Sequence, residues 1–258
     1  MHTVYHSRNM RAWFVYSYRA EKNIQSNERI VKISIFNKNN KYLAGHVING
    51  RNLYPGTGYL VLVWETLGMM MGKLYTEISV VFENVRFQRA TKIPEDGNLE
   101  FIVMIQKGTG NFEILESGVS IVTGRIYVKK DVGQYYRILP SQPEAAGPNI
   151  KHMLTKDFYK ELRLRGYQYN GLFRGVIGCN VEGTRGRIAW VNNWVTFMDC
   201  MLQLKIIGLD TRDLLVSTRI KKLSIDVNMH YNAISKMSTD SSKHSFEIRV
   251  HPNKDVIR

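Results

Sequence analysis

Residues 55–71 constrain the fold of this chain more than any other stretch. Tyr59, Leu60, Leu62, Val63, Trp64, Leu67, Met69 and Met70 fall on nearly every side of a helix of 3.6 residues per turn. Pro55 stands where that helix would begin, and its missing N–H costs nothing in a first helical turn. A helix without a solvent face has to be enclosed by other elements. The neighbouring sequence offers strands for the purpose. Val31, Ile33 and Ile35 alternate with Lys32 and Ser34 across Ile30–Phe36. Ile78–Phe87, Leu99–Gln106, Phe112–Leu115 and Gly118–Val128 are rich in β-branched and aromatic residues. The turn signals Pro94-Glu95-Asp96-Gly97 and Gly108-Thr109-Gly110-Asn111 part them closely enough for antiparallel hairpins. Leu99, Phe101, Val103 and Ile105 then line one strand face.

The pattern recurs further along. Residues 1–28 carry little periodicity, and Asp131–Ile150 holds Pro140, Pro143 and Pro148, which marks a connection. Three segments are expected: a first half over 12–135, a linker over 136–150 and a second half over 151–258. The second half opens with a short helix that Thr155 can cap, with Phe158 and Leu162 on one face and Gly166 ending it in the left-handed conformation. A strand near Arg187–Val191 precedes a second long helix, Trp194–Ile207, and strands Leu214–Val227 and Ser245–Val250 follow. Each half thus reads as a long helix with antiparallel strands, which periodicity alone describes as α+β with two similar halves.

Composition closes off some functions. No apolar run in the 258 residues reaches the length of a membrane span, and Arg11 breaks Met10–Tyr18 while Arg19 ends it, so neither a membrane segment nor a secretory peptide is expected. Cys179 and Cys200 are the only cysteines; they lack metal-site spacing and suit a reducing, cytoplasmic setting without a bound metal. The net charge of +14 admits an anionic partner, but Lys and Arg are scattered and no nucleic-acid motif appears.

Two constellations could carry chemistry. His46 lies just before the Asn49-Gly50 turn and close to the helix start at Pro55. A neutral imidazole beside a helix N-terminus sets a base next to a pole that attracts a carbonyl oxygen. Asp199 and Gln203 are four residues apart on Trp194–Ile207, off the apolar stripe of Trp194, Phe197, Met198, Met201 and Leu202. Gln203 could hold the carboxyl of Asp199, although a polar pair off the stripe ordinarily faces solvent. The other histidines have no supporting context.

His46-Val-Ile-Asn-Gly50-Arg-Asn-Leu-Tyr-Pro55 resembles the H-x-x-x-G-x-x-x-x-P motif of dehydratase domains in animal fatty acid synthases and polyketide synthases. Leu43-Ala44-Gly45 and Thr57-Gly58-Tyr59-Leu60 are similar to the animal fatty acid synthase version. Gly166-Tyr-Gln-Tyr-Asn-Gly-Leu-Phe173 resembles the G-Y-x-Y motif, and Asp199-Cys-Met-Leu-Gln203 resembles D-x-x-x-Q. The resemblance runs from about Ile30 to the C-terminus. It implies a double hot dog, two tandem sheets each curled round a central helix. It implies His46 as the base that removes a C2 proton from a β-hydroxyacyl thioester, and Asp199 as the acid that protonates the leaving hydroxyl. To do so Asp199 must hold a proton, which burial among apolar neighbours favours. Gly56, Gln203, Tyr167 and Pro55 are the implied substrate-binding residues, with the Gly56 N–H directed at the thioester carbonyl and the helix Tyr59–Met71 walling an acyl tunnel. No metal or redox cofactor is implied. The implied partners are an acyl carrier protein domain, whose phosphopantetheine brings the substrate, the other synthase domains, and a second copy in a homodimer. Nucleic acid and membrane are not among them.

The chain departs from the family at Gly56, where alanine is common, and at Asn170-Gly171, where Gly-Pro is common. The family also continues past His251–Arg258 with a further strand, so the second half is expected to lack its last one. A catalytically inactive pairing module of the same fold is the main rival, and the intact His46/Asp199 pair argues against it. A basic nucleic-acid binder would cluster its charge, and a hot-dog thioesterase would not call for the D-x-x-x-Q context.

Overall fold

In the computed structural model, which describes residues 22–23, 28–128, 152–237, 244–251 and 256–257, the apolar stretch folds as helix α1, Gly56–Met71. Every residue from Thr57 to Trp64 is buried. Full burial of an aliphatic or aromatic side chain stabilises by about 1.5–3 kcal/mol, so packing rather than helix propensity holds α1 together. Trp64 donates its indole N–H to the Ile78 carbonyl at 3.0 Å, which leaves no polar atom stranded on that ring. Pro55 is the N-cap, with φ −69° and ψ 140°, one residue outside the helix rather than in its first turn. Its side chain has no oxygen to offer, and no side-chain hydrogen bond caps this end.

The wrapping is an antiparallel sheet of seven described strands. They are β1 (Lys22–Asn23), β2 (Glu28–Ser34), β5 (Val80–Phe87), β6 (Asn98–Ile105), β7 (Asn111–Glu116), β8 (Val119–Val128) and β12 (Arg219–Ile225). Their order is β1-β2-β6-β7-β8-β5-β12. Leu99, Phe101, Val103 and Ile105 of β6 are all buried, as strand alternation predicts.

The second half builds on α3, Trp194–Ile207, and on β9 (His152–Leu154), β10 (Val176–Asn180), β11 (Arg185–Ala189), β13 (Ser245–His251) and β14 (Val256–Ile257). These strands run in the order β14-β13-β11-β10-β9. Helix α2 (Thr155–Leu164) follows β9 and buries Phe158, Tyr159 and Leu162, and Gly166 beyond it has φ +96°. The two central helices touch: Trp64 and Trp194 rings lie 5.4 Å apart, and Thr57 Oγ1 donates to the Val195 carbonyl at 2.9 Å.

Four expectations need correcting. The strand after α3 does not stay in its own half; β12 pairs along β5, from Arg219 opposite Arg86 to Ile225 opposite Val80. It covers an edge that β5 would otherwise leave bare, so the division at residues 136–150 is not a division between sheets. Those linker residues lie outside the described ones. Thr155 does not cap α2: Leu154 is the N-cap, and Thr155 Oγ1 donates to the Ile177 carbonyl instead. The strands β9 and β10 were not anticipated. Nor was a helix, α4 (Val227–Lys236), although Asp226 caps it by accepting from the Met229 N–H at 2.9 Å, a signal present in the sequence.

Candidate active site

The motif spacing has a geometric cause. Asn49 and Gly50 both have positive φ, 49° and 71°, the requirement of a two-residue hairpin turn. That turn closes a small hairpin of β3 (Val47–Ile48) and β4 (Arg51–Asn52). Beyond it His46 and Leu53 face each other. The Leu53 N–H donates to the His46 carbonyl at 3.1 Å, and Leu53 returns its own carbonyl to the ring nitrogen His46 Nδ1 at 2.8 Å. The chain has then doubled back, and three residues later α1 begins. Eight residues of hairpin therefore lay the imidazole beside the helix N-terminus.

The Leu53 contact also settles the tautomer. A carbonyl only accepts, so Nδ1 carries a proton, and in the neutral ring Nε2 is the nitrogen with the lone pair. Nε2 lies 3.6 Å from Asp199 Oδ1. The second half locks the hairpin from outside: the N–H of Gln168 donates to Val47 O, that of Asn49 to Gly166 O and that of Asn170 to Gly45 O. Gly45 is obligatory here, since a Cβ would sit 2.3 Å from the Asn170 carbonyl oxygen.

Asp199 lies mid-helix on α3 and is 5 % exposed, and Gln203 is completely buried. The expected solvated face is not there, because α3 is enclosed by its sheet, by α1 and by α2. Gln203 spends its whole amide on the surroundings. Its Nε2 donates to Asp199 Oδ2 at 2.8 Å and to the Phe173 carbonyl at 3.0 Å, and its Oε1 accepts from the Tyr159 hydroxyl at 3.1 Å. The Phe173 carbonyl fixes which end of the amide is nitrogen. Since Oδ2 accepts from Gln203, a proton on this carboxyl belongs on Oδ1, the oxygen nearer His46. Burial pushes the neighbouring Cys200 thiol up to about 12, with the charge of Asp199 adding to it, so the thiol stays neutral. Tyr169, whose ring lies 5.4 Å from that of His46, is raised by burial and then by Asp199.

A cavity of about 240 Å³ joins these groups. His46, Asp199, Gly56 and Tyr167 line it, together with apolar side chains such as Phe87, Leu202 and Ile206. Only the first turn of α1 reaches it, so the remainder of that helix belongs to the core and not to a tunnel wall. Gln203 and Pro55 do not line the cavity: Gln203 stands behind Asp199, and Pro55 delivers the helix start. Tyr167 presents its ring alone, because its hydroxyl donates to Leu215 O at 2.6 Å and accepts from Leu215 N at 2.7 Å. Two contributors escaped the sequence reading. The Leu53 carbonyl is backbone and leaves no residue signal, whereas Tyr169, two positions from Tyr167 and stacked on it at 5.8 Å, lay within the quoted motif. Among the described residues no His, Cys, Asp or Glu cluster could hold a metal ion.

Residues 20–117 match the family described as the polyketide synthase dehydratase domain. The highly reducing polyketide synthase aurA of Calcarisporium arbuscula is 29% identical over 162 residues, which is 55% of this chain and 6% of the relative. Probable polyketide synthase 14 of Dictyostelium discoideum is 24% identical over 173 residues, 61% of this chain and 5% of the relative. Over these residues the chain is similar to the polyketide synthase dehydratases. It spans only a small part of those large synthases. The dehydratase domain from the CurF module of curacin polyketide synthase superposes with a TM-score of 0.61 at 17% identity, covering 90% of this chain and 85% of that one. The dehydratase domain of RzxB from Pseudomonas fluorescens gives 0.62 at 13% identity, with coverage of 90% and 85%. The fold is the α+β double hot dog of these dehydratases.

Proposed function

We propose that the chain eliminates water from a β-hydroxyacyl thioester to give a trans-2-enoyl thioester. The observation that carries this is the pairing of His46 Nε2 with Asp199 Oδ1 at 3.6 Å across a cavity that also meets an uncapped helix end. In this reading Nε2 takes the C2 proton. The electron pair moves toward the thioester carbonyl, and the first amides of α1, Gly56 among them, stabilise the developing oxyanion. Expulsion of the β-hydroxyl follows, with Asp199 Oδ1 supplying the proton that lets it leave as water. The site is left as an imidazolium beside a carboxylate, and return of one proton from Nε2 to Oδ1 resets it. The balance needs no metal and no redox cofactor. Solved structures of the CurK dehydratase include inactive mutants with a histidine replaced by phenylalanine or an aspartate replaced by asparagine, the same two residue types.

The finer assignment, a dehydratase of fatty acid synthase type, is supported by Leu43-Ala44-Gly45 and Thr57-Gly58-Tyr59-Leu60. It brings an acyl carrier protein domain and the other synthase domains as partners.

The test is formation of enoyl absorbance from a β-hydroxybutyryl thioester by the purified chain. His46→Ala and Asp199→Asn should each lower turnover by about 10²–10⁴-fold with the fold retained, the usual worth of a positioned acid or base. A folded wild type that releases free thiol without enoyl product, or variants as active as wild type, would sink the reading.

A further inference from the structure

The catalytic cavity has a direction. Asp199, Leu202 and Ile206 all line it, and their i, i+3, i+7 spacing puts them on one face of α3. At about 1.5 Å of rise per residue, that face carries an apolar track about 10 Å long from the carboxyl toward the end of the helix. Leu202 and Ile206 are partly exposed on a helix that is otherwise mostly buried. A second wall comes from the connection between α3 and β12, where Leu215 and Val216 line the same cavity. They are 37% and 57% exposed although both are apolar. The Tyr167 hydroxyl grips Leu215 at both its N–H and its carbonyl, which pins this strip of chain beside the site. The Phe87 N–H donates to the Thr218 carbonyl at 2.9 Å and fastens the strip to β5. Four apolar side chains left partly bare around a groove that begins at a carboxyl are packing without a partner, and an apolar ligand completes it.

We propose that this groove seats the acyl tail beyond C3, and that Leu202, Ile206, Leu215 and Val216 make the chain selective for apolar tails in acyl groups of up to about eight carbons. The direction of the tail rests on the dehydratase reading, which sets the carbonyl at the start of α1, C2 at His46 and the hydroxyl at Asp199. The tail then leaves C3 beside Asp199, where the next lining residues along the helix are Leu202 and Ile206. It does not follow α1, because only the first turn of that helix reaches the cavity. A cavity of about 150 Å³ admits benzene, so about 240 Å³ has room for about ten heavy atoms. Three carbons and two oxygens belong to the reacting end, which leaves about five for the tail. Carbons beyond these pass Ile206 into solvent and gain no burial.

The experiment measures kcat/KM for β-hydroxyacyl pantetheine thioesters of four, six, eight, ten and twelve carbons, using wild type, Val216→Asp and Ile206→Phe. For wild type, kcat/KM should rise about threefold per added methylene, a little under the fourfold of full burial because the groove is open on one side. The rise should level off at about eight carbons. Val216 is exposed, so an aspartate there keeps the fold, and its charge beside the tail should cut the rise to less than about twofold per methylene. Ile206→Phe fills the far end of the track and should bring the levelling down to about six carbons. A merely structural role for these residues would lower every chain length by the same factor. Wild-type values that are independent of length, or that still climb beyond ten carbons, overturn the proposal. So does a rise that neither variant alters, which would put the tail elsewhere. If no thioester of any length turns over, the dehydratase reading has failed, and calorimetric titration with saturated acyl pantetheine thioesters of the same lengths decides. Affinity that climbs to about eight carbons in wild type and is flattened in Val216→Asp supports the groove, and affinity independent of length overturns it.

Discussion

The two central helices are alike in burial and opposite in use. Both α1 and α3 are apolar on nearly all sides, and both are enclosed by sheet. At the start of α3, Asn193 accepts from the Thr196 N–H at 3.0 Å, so this helix end is satisfied from within. The same end is roofed by Trp190 and by His230 of α4, whose ring lies 4.4 Å from that of Trp194. Proline precedes α1 instead, no side chain caps it, and Gly56 and Thr57 line the cavity. In the proposed reaction one helix therefore offers its backbone pole, and the other offers a side chain from its middle. A fold with two equivalent halves can divide a reaction this way because a missing cap in one half leaves donors free for a ligand.

Gly56 gives the largest test of that contrast. Gly56→Pro removes the amide hydrogen at a helical position where proline fits, and the extended Pro55 already has the backbone that precedes a proline. Turnover should fall by about 10²–10³-fold, as when an oxyanion-hole donor is lost. Gly56→Ala keeps the amide, and its Cβ would meet the Phe87 ring at an ordinary 3.5 Å, so near-normal kinetics are expected. Equal losses in the two variants would show that shape, not the N–H, matters.

Next comes the support behind Asp199. Gln203→Leu strips Asp199 Oδ2 of its buried donor and frees the carboxyl to turn, while the Tyr159 hydroxyl keeps the Phe173 carbonyl and the Val176 N–H. Denaturant titration should show a loss of about 1–3 kcal/mol, the cost of leaving a buried polar partner unsatisfied. kcat should fall while KM is held, because the acid is misplaced without touching a cavity wall. Asn193→Ala acts on the capped helix end. It should cost about 1 kcal/mol in the same titration and leave kcat unchanged, the counterpart of Gly56→Pro.

The last effect is absent at neutral pH. Burial lowers His230 to about 4, and its ring is boxed by Trp190 at 4.2 Å and Phe246 at 4.6 Å. The unfolded chain binds a proton there below about pH 6.5, which the folded chain refuses until about 4. Stability is thus unaffected above about 6.5 and declines as pH falls toward 4. His230→Phe should flatten that part of the profile, as denaturation midpoints at a series of pH values would show.

The sequence was most legible where burial left no choice. The helix at 194–207 was read to the residue and the one at 55–71 to within one, since an apolar circumference admits few alternatives. The destination of residues 219–225 was hidden, because alternation tells a strand its faces and not its neighbour. Asp199 and Gln203 were misjudged for a related reason. Being off an apolar stripe means solvent only when the stripe faces the core, and in α3 the half-exposed residues are Met201, Leu202, Lys205 and Ile206 instead. His46, by contrast, was placed correctly beside the helix start, for the spacing to Pro55 encodes a hairpin.

That hairpin works as a ruler. Side chains alternate between faces along it, so inserting or deleting one residue between His46 and Leu53 would carry the imidazole to the opposite side and part it from Asp199. Exchanges such as those at the exposed Arg51 leave the count untouched. Descendants of this sequence are therefore free to drift in letters at the hairpin tip, while a change of length by a single codon silences the site in one step.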